Sequence, residues 1–242
     1  MRYLIKISYD GTNYHGWQIQ INANSVQGVL NKCLEILLKN KIETIGCGRT
    51  DTGVHAENFY AHFDSENIIN DNEKFLWQLN NLLPNDIYAK SINCVSDNFH
   101  CRFDAKQRTY QYFINKTKNP FNNNYAVNLT YKLDVEKMNE AAKLLFNYSD
   151  FSCFCKLGTD TKTNICKIYN CHWIETNEQY IFTITADRFL RNMVRAIVGT
   201  LIDIGASKIS LNKFIEIIES KDRSKASASV LAKGLFLTDI VY

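Results

Sequence analysis

Apolar and polar residues alternate in YLIKISYDG, which predicts a strand over residues 3–9 ending at the Asp10-Gly11 turn signal. The period then changes. Val26, Leu30, Cys33, Leu34 and Leu37 recur at helical spacing in SVQGVLNKCLEILLKN, with Ser25 placed to cap the first turn. KIETIGCG reads as a short strand and HAENFYAHFD as a longer alternating one, so residues 48–54 connect two strands. NEKFLWQLNNLLP predicts a helix, and DIYAKSINCV a strand after it.

The pattern then restarts. QRTYQYFIN predicts a strand and DVEKMNEAAKLLFN a helix. NICKIYNCHWIET and QYIFTITAD predict two strands facing each other across a short turn. RFLRNMVRAIVGTLIDIG reads as one long helix, SLNKFIEIIES as a short one and KGLFLTDIVY as a closing strand. Residues 117–124 form a polar loop. Strands and helices come in a similar order twice, which predicts an α+β chain of two related halves, 1–104 and 105–242.

Length and composition narrow the class. The 242 residues are enough to bury a substantial core, and 45% hydrophobic with 22% charged residues is ordinary for a globular chain. The net charge of +3 permits a nucleic-acid partner without arguing for one. The opening MRYLIKISYDG carries no long apolar stretch and no run is long enough to span a bilayer, so a cytoplasmic protein is expected. Eight cysteines in such a chain are expected as reduced thiols. Cys153, Cys155, Cys166, Cys171 and His172 would be the donors of a zinc site. However, no C-x-x-C pair exists and the spacings match no common finger, so buried apolar packing is expected and no metal.

Three constellations can carry chemistry. In GCGRTDTGVHA, Gly48 and Gly53 permit tight backbone geometry around Arg49 and Asp51. A guanidinium beside a carboxylate favours the ionised form, which suits nucleophilic attack or stabilisation of developing positive charge. The alternative is an Asx turn with Arg49 solvated. In the predicted long helix, Arg188, Arg191 and Arg195 fall on one ridge; this is either a cationic edge of a cleft or the solvated side of an amphipathic helix. In HCRFDAKQRTYQYF, Arg102, Lys106 and Arg108 interleave with Phe103, Tyr110, Tyr112 and Phe113. YDGTNYHGWQIQ adds Tyr9, Tyr14, His15 and Trp17. Rings that stack on splayed bases beside cations grip single-stranded or looped RNA, whereas the same rings on one strand face would be core.

Taken together and in order, YDGTNYHGWQIQ, SVQGVL, GCGRTDTGVHA, LLPNDI, FHCRFDAKQRTYQYFI, FLRNMVRAIVG and KGLFL resemble the tRNA pseudouridine synthase A family over nearly the whole chain. The resemblance implies the pseudouridine synthase fold, two ferredoxin-like halves sharing a central antiparallel sheet with a cleft between them. It implies a cytoplasmic homodimer that isomerises uridine at positions 38, 39 and 40 of the tRNA anticodon stem-loop, with no cofactor. It carries the nucleophile onto Asp51, the active-site tyrosine onto Tyr110 and the arginine that pairs with the nucleophile onto Arg191. Arg49, Tyr110, His55, Arg108 and Arg195 become tRNA-binding residues, with Arg49 helping to open the RNA. Thr52 stands where the family usually has Ala, and Cys166 where many members carry Arg, which removes one peripheral RNA contact.

Three rivals remain at this level. Asp51-Thr52-Gly53 is also the D-T-G of aspartic proteases, but Arg49 opposes the raised pKa such a dyad needs. A non-catalytic RNA-binding module would use the same rings and cations without Asp51. The same chemistry could also act on other RNA uridines.

Overall fold

The computed structural model describes residues 1–158 and 162–242. The chain forms two compact units: residues 1–106 together with 236–242, and residues 107–235. No described helix is long and apolar enough to cross a membrane. The fold class is α+β in both units, as the two periodicities predict.

The first unit contains β1 (Arg2–Tyr9), α1 (Val26–Leu38), β2 (Ile45–Gly46), β3 (His55–Asp64), α2 (Asn72–Leu82) and β4 (Ile87–Val95). β1 buries Tyr3, Ile5, Ile7 and Tyr9 and leaves the alternate residues less covered, as its period-2 pattern requires. It lies antiparallel between β3 and β4, and β2 pairs antiparallel with β3. Ser25 caps α1, its Oγ accepting from Gly28 N at 3.2 Å, a contact typically worth about 1 kcal/mol. The closing strand, β9 (Leu235–Val241), returns to this unit and runs parallel to β3, with His55 opposite Phe236. The units are therefore not the contiguous halves 1–104 and 105–242 expected from the sequence.

The second unit contains β5 (Gln107–Asn115), β6 (Val127–Asn128), α3 (Val135–Leu144), β7 (Ile168–Glu175), β8 (Gln179–Ala186), α4 (Met193–Gly205) and α5 (Leu211–Ser220). β8 lies antiparallel between β5 and β7, and β6 runs parallel to β5. α4 is buried along most of its length, from Met193 and Val194 through Ile204. The sequence reading began this helix at Arg188. It begins at Met193 because Asn192 adopts a left-handed conformation, φ 65°, which a helical path cannot include.

One device recurs in both units. On the outer edge of β4, Ala89 N donates to Asn80 Oδ1 (2.8 Å) and Asn80 Nδ2 donates to Ala89 O (2.9 Å). On β7, Trp173 N donates to Asn139 Oδ1 (2.7 Å) and Asn139 Nδ2 donates to Trp173 O (3.1 Å). A side-chain amide from a packed helix thus satisfies one residue of each strand edge, which would otherwise be open to another chain. Seven of the eight cysteines are buried, Cys153, Cys155, Cys166 and Cys171 among them; Cys94 on β4 is exposed. Burial pushes the Cys166 thiol up to about 12.

His62, 1% exposed, accepts from Cys101 N at 3.3 Å through Nδ1. Burial, with help from Arg2 and His100, pushes it down to about 4 from an ordinary 6.5. The unfolded chain therefore binds this proton more readily than the folded one. Stability is full above pH 6.5 and falls as the pH drops toward 4. Urea titrations across that window should show the decline, and His62→Gln should flatten it. Asn139→Ala strands both groups of Trp173 and should cost about 1–3 kcal/mol in the same denaturation experiment.

Candidate functional site

Asp51 sits in a loop held by main-chain contacts. Val54 N donates to Asp51 O at 3.1 Å and closes a turn, with Gly53 at φ +75°. Gly53 N, the donor an Asx turn at Asp51 would use, goes instead to Tyr14 O at 3.2 Å. Trp17 N donates to Thr50 O at 3.4 Å, and Thr50 Oγ1 lies 2.9 Å from the Tyr9 hydroxyl. Gly16, at φ +85°, passes so close that any side chain there would collide with Thr50 O. The loop is thereby clamped from residues 9–17 on one side while Asp51 stays half-exposed and Arg49 exposed. Such an arrangement fixes the main chain that carries the carboxylate without closing off access to it.

This geometry corrects several sequence expectations. Gly48 has open space where a Cβ would lie, so it is not the close-approach glycine of the loop; Gly16 is. Tyr9, Tyr14 and Trp17 are 4%, 3% and 1% exposed, so they are core and not base-stacking rings. Trp17 packs on Phe59 with ring centroids 4.2 Å apart, and the Tyr14 hydroxyl donates to Asp86 Oδ1 at 2.6 Å. His55 is 1% exposed and stacks on Phe236 at 4.5 Å, so it has no surface to offer tRNA. Its Nδ1 accepts from Gly11 N at 3.0 Å and lies 3.0 Å from Asp10 Oδ1. One nitrogen cannot accept from Gly11 and donate to Asp10 at once. The Gly11 N–H points where the backbone aims it, so Nδ1 is the acceptor. His55 holds the 10–11 turn against the start of β3. The sequence signal for this scaffold was Gly16 between Tyr14 and Trp17, a glycine among residues too large for a loop exposed to water.

The remaining site residues lie in the second unit. Tyr110, on β5, is half-buried and meets Phe189 edge-on, with centroids 5.2 Å apart at 89°. Tyr112 is fully buried and its hydroxyl donates to Leu231 O at 2.8 Å. Of the two tyrosines on that face, only Tyr110 therefore presents a surface. Arg108 Nη1 donates to Asp187 O at 2.6 Å. Arg191 is exposed and precedes α4, where the sequence reading placed it on a helical ridge with Arg188 and Arg195. Arg195 alone of the three is on the helix, its Nε donating to Val230 O at 2.7 Å. Cys166, in the position read as a lost RNA contact, is 0% exposed and belongs to the core. Exposed Phe103 carries Arg102 over its ring at 5.6 Å, back in the first unit. Among the described residues no three His, Cys, Asp or Glu gather as a metal site.

Residues 141–242 match the family model described as tRNA pseudouridine synthase. The chain is 51% identical over 242 residues to tRNA pseudouridine synthase A of Bacteroides fragilis, covering 100% of this chain and 96% of that one. It is 49% identical over 244 residues to the protein of that name from Bacteroides thetaiotaomicron, covering 100% and 90%. With the Clostridium acetobutylicum protein of that name it shares 42% identity over 240 residues, covering 98% of each. Identity at this level along the whole chain, spanning both the clamped Asp51 loop and the segment that carries Arg191, makes this protein a member of the tRNA pseudouridine synthase A family.

Proposed function

We propose that this chain isomerises uridine to pseudouridine in tRNA, with Asp51 as the nucleophilic or charge-stabilising carboxylate. The observation that carries the reading is the Asp51 loop: its main chain is pinned by Tyr14, Gly16 and Trp17, yet Asp51 keeps solvent access. In the reaction the C1′–N1 bond breaks, C1′ joins C5, the C5 proton leaves and N1 gains one. Product and reactant are isomers, so the step calls for no redox or group-transfer cofactor. A carboxylate beside C1′ or C6 serves it by covalent attack or by stabilising positive charge.

Tyr110 and Arg191 complete the catalytic set in this reading, Tyr110 stacking on the uracil while it turns and Arg191 pairing with Asp51. Tyr110 is half-buried and meets Phe189 edge-to-face, an aromatic setting suited to a planar base. The target base leaves the helix to reach the site, at a cost of a few kcal/mol. Arg49, exposed and donating no hydrogen bond among the described residues, is suited to offset part of it by filling the vacated space. Arg108 and Arg195 complete the tRNA contacts, and His55 is assigned to the scaffold instead.

The finer family features belong to the same proposal: targets at positions 38 to 40 of the anticodon stem-loop, a cytoplasmic homodimer, and two ferredoxin-like halves. The strand order supports the last. With the two-residue β6 set aside, β1-β3-β2 in the first unit and β5-β8-β7 in the second follow one pattern: first strand, third strand, second strand, with a helix after the first.

The test is to incubate the protein with an unmodified tRNA transcript, then map pseudouridine by carbodiimide labelling and primer extension. Asp51→Ala should abolish the signal while tRNA binding survives; wild-type turnover in that variant would remove Asp51 from the chemistry. Signal outside positions 38 to 40 would keep the chemistry and change the target. Arg191→Lys should cut turnover by roughly a hundredfold, since a point charge does not replace a bidentate fork at a reacting centre.

A further inference from the structure

Residues 226–230 run beside α4 as a strap, and the strap is tied to the residue that follows Arg191. Arg223 anchors it: Nη1 donates to Ala226 O (3.2 Å) and Ser227 O (3.1 Å), and Nη2 donates to Ser229 Oγ (2.9 Å). Ser227 N donates to Thr200 Oγ1 at 3.3 Å. Ala228 O passes so close to α4 that a side chain at Gly199 would collide with it. Val230 N donates to Arg195 O (3.2 Å) and Arg195 Nε donates to Val230 O (2.7 Å). The last tie is Asn192 Nδ2, which donates to the same Ser229 Oγ that Arg223 holds. A hydroxyl has two acceptor lone pairs, and both are used here.

Asn192 is where the path of Arg191 is decided. Its left-handed backbone, φ 65°, turns the chain from the 187–191 loop into α4, and a non-glycine residue holds that conformation only with local support. Arg191 O accepts from Lys156 N at 3.0 Å, and Ala196 N donates to Asn192 O at 3.1 Å. The Arg191 main chain is thus fixed on both sides while its side chain remains exposed. We propose that Asn192, Ser229 and Arg223 are positioning residues: the strap splints the left-handed turn and thereby aims Arg191 for the isomerisation. This rests on the assignment of Arg191 to the chemistry.

Single-turnover kinetics with excess enzyme on a tRNA transcript test it, with thermal melting in parallel. Ser229→Ala removes the shared acceptor. Asn192→Gly keeps the left-handed turn without strain and removes only the tie. Both should lower the rate of the chemical step about tenfold to a hundredfold, as a misaimed group does, with tRNA affinity unchanged. Ser229→Thr, which keeps the hydroxyl, should restore the rate. In an Arg191→Ala background, Ser229→Ala should cause no further loss. A full-rate Asn192→Gly or Ser229→Ala enzyme beside an impaired Arg191→Ala would overturn the splint and leave Arg191 in its role. A loss in the Arg191→Ala background as large as in wild type would also overturn it, since the strap would then act through another residue. Full-rate Arg191→Ala would instead remove the assignment beneath.

Discussion

Backbone-to-backbone contact between residues 11–17 and 50–54 is the constraint on which the first unit depends. Gly16 lies against Thr50, and Gly53 N is given to Tyr14 O. No side chain fits between two segments that close, so the large residues nearby are forced to the other side, where Tyr9, Tyr14 and Trp17 fill the core beneath β3. The position of Asp51 is consequently set by main-chain atoms, which cannot change rotamer. A side chain carried on such a backbone keeps only its own χ torsions to vary.

Much of this was legible beforehand, and the failures have physical causes. β3 runs over HAENFYAHFD as the alternation indicates, and Ser25 caps α1 as its spacing from the apolar stripe requires. Apolar periodicity reports burial, and both elements are bound to a core. The start of α4 is not legible in the sequence because Phe189 and Leu190 continue the apolar pattern of the helix without sharing its backbone. Only the φ of Asn192 marks the break, and an asparagine in sequence does not announce a left-handed turn. Tyr9, Tyr14 and Trp17 stay open in the sequence for a related reason: an aromatic residue near a glycine serves a core or a nucleobase equally well, and long-range contact decides which. The identity of the Asp51 loop was legible because Arg49, Asp51 and Gly53 are residue types with little use inside a core.

The N-terminal end of α4 gathers positive charge by two routes. Its first turn carries the positive pole of the helix, with Arg195 in that turn and Arg191 just before it. Cations gain nothing from that pole, and Arg195 is held there by its bond to Val230 O. An anion does gain there, whether phosphate or carboxylate, because charge and dipole then act together.

The return of β9 to the first unit bears on how the chain is made. Its partners there are distant in sequence: Phe236 opposite His55, Thr238 O bonded to Asn58, and Val241 O accepting from Lys106 N. On the ribosome, residues 1–106 emerge first, yet their sheet lacks this strand until residues 236–242 have been synthesised. During that interval the second unit is free to form from contiguous chain, while the first waits with one side of β3 uncovered where β9 will pair. Translation of this protein therefore passes through a stage in which the unit bearing Asp51 is the less finished of the two, until residues 236–242 supply its missing strand.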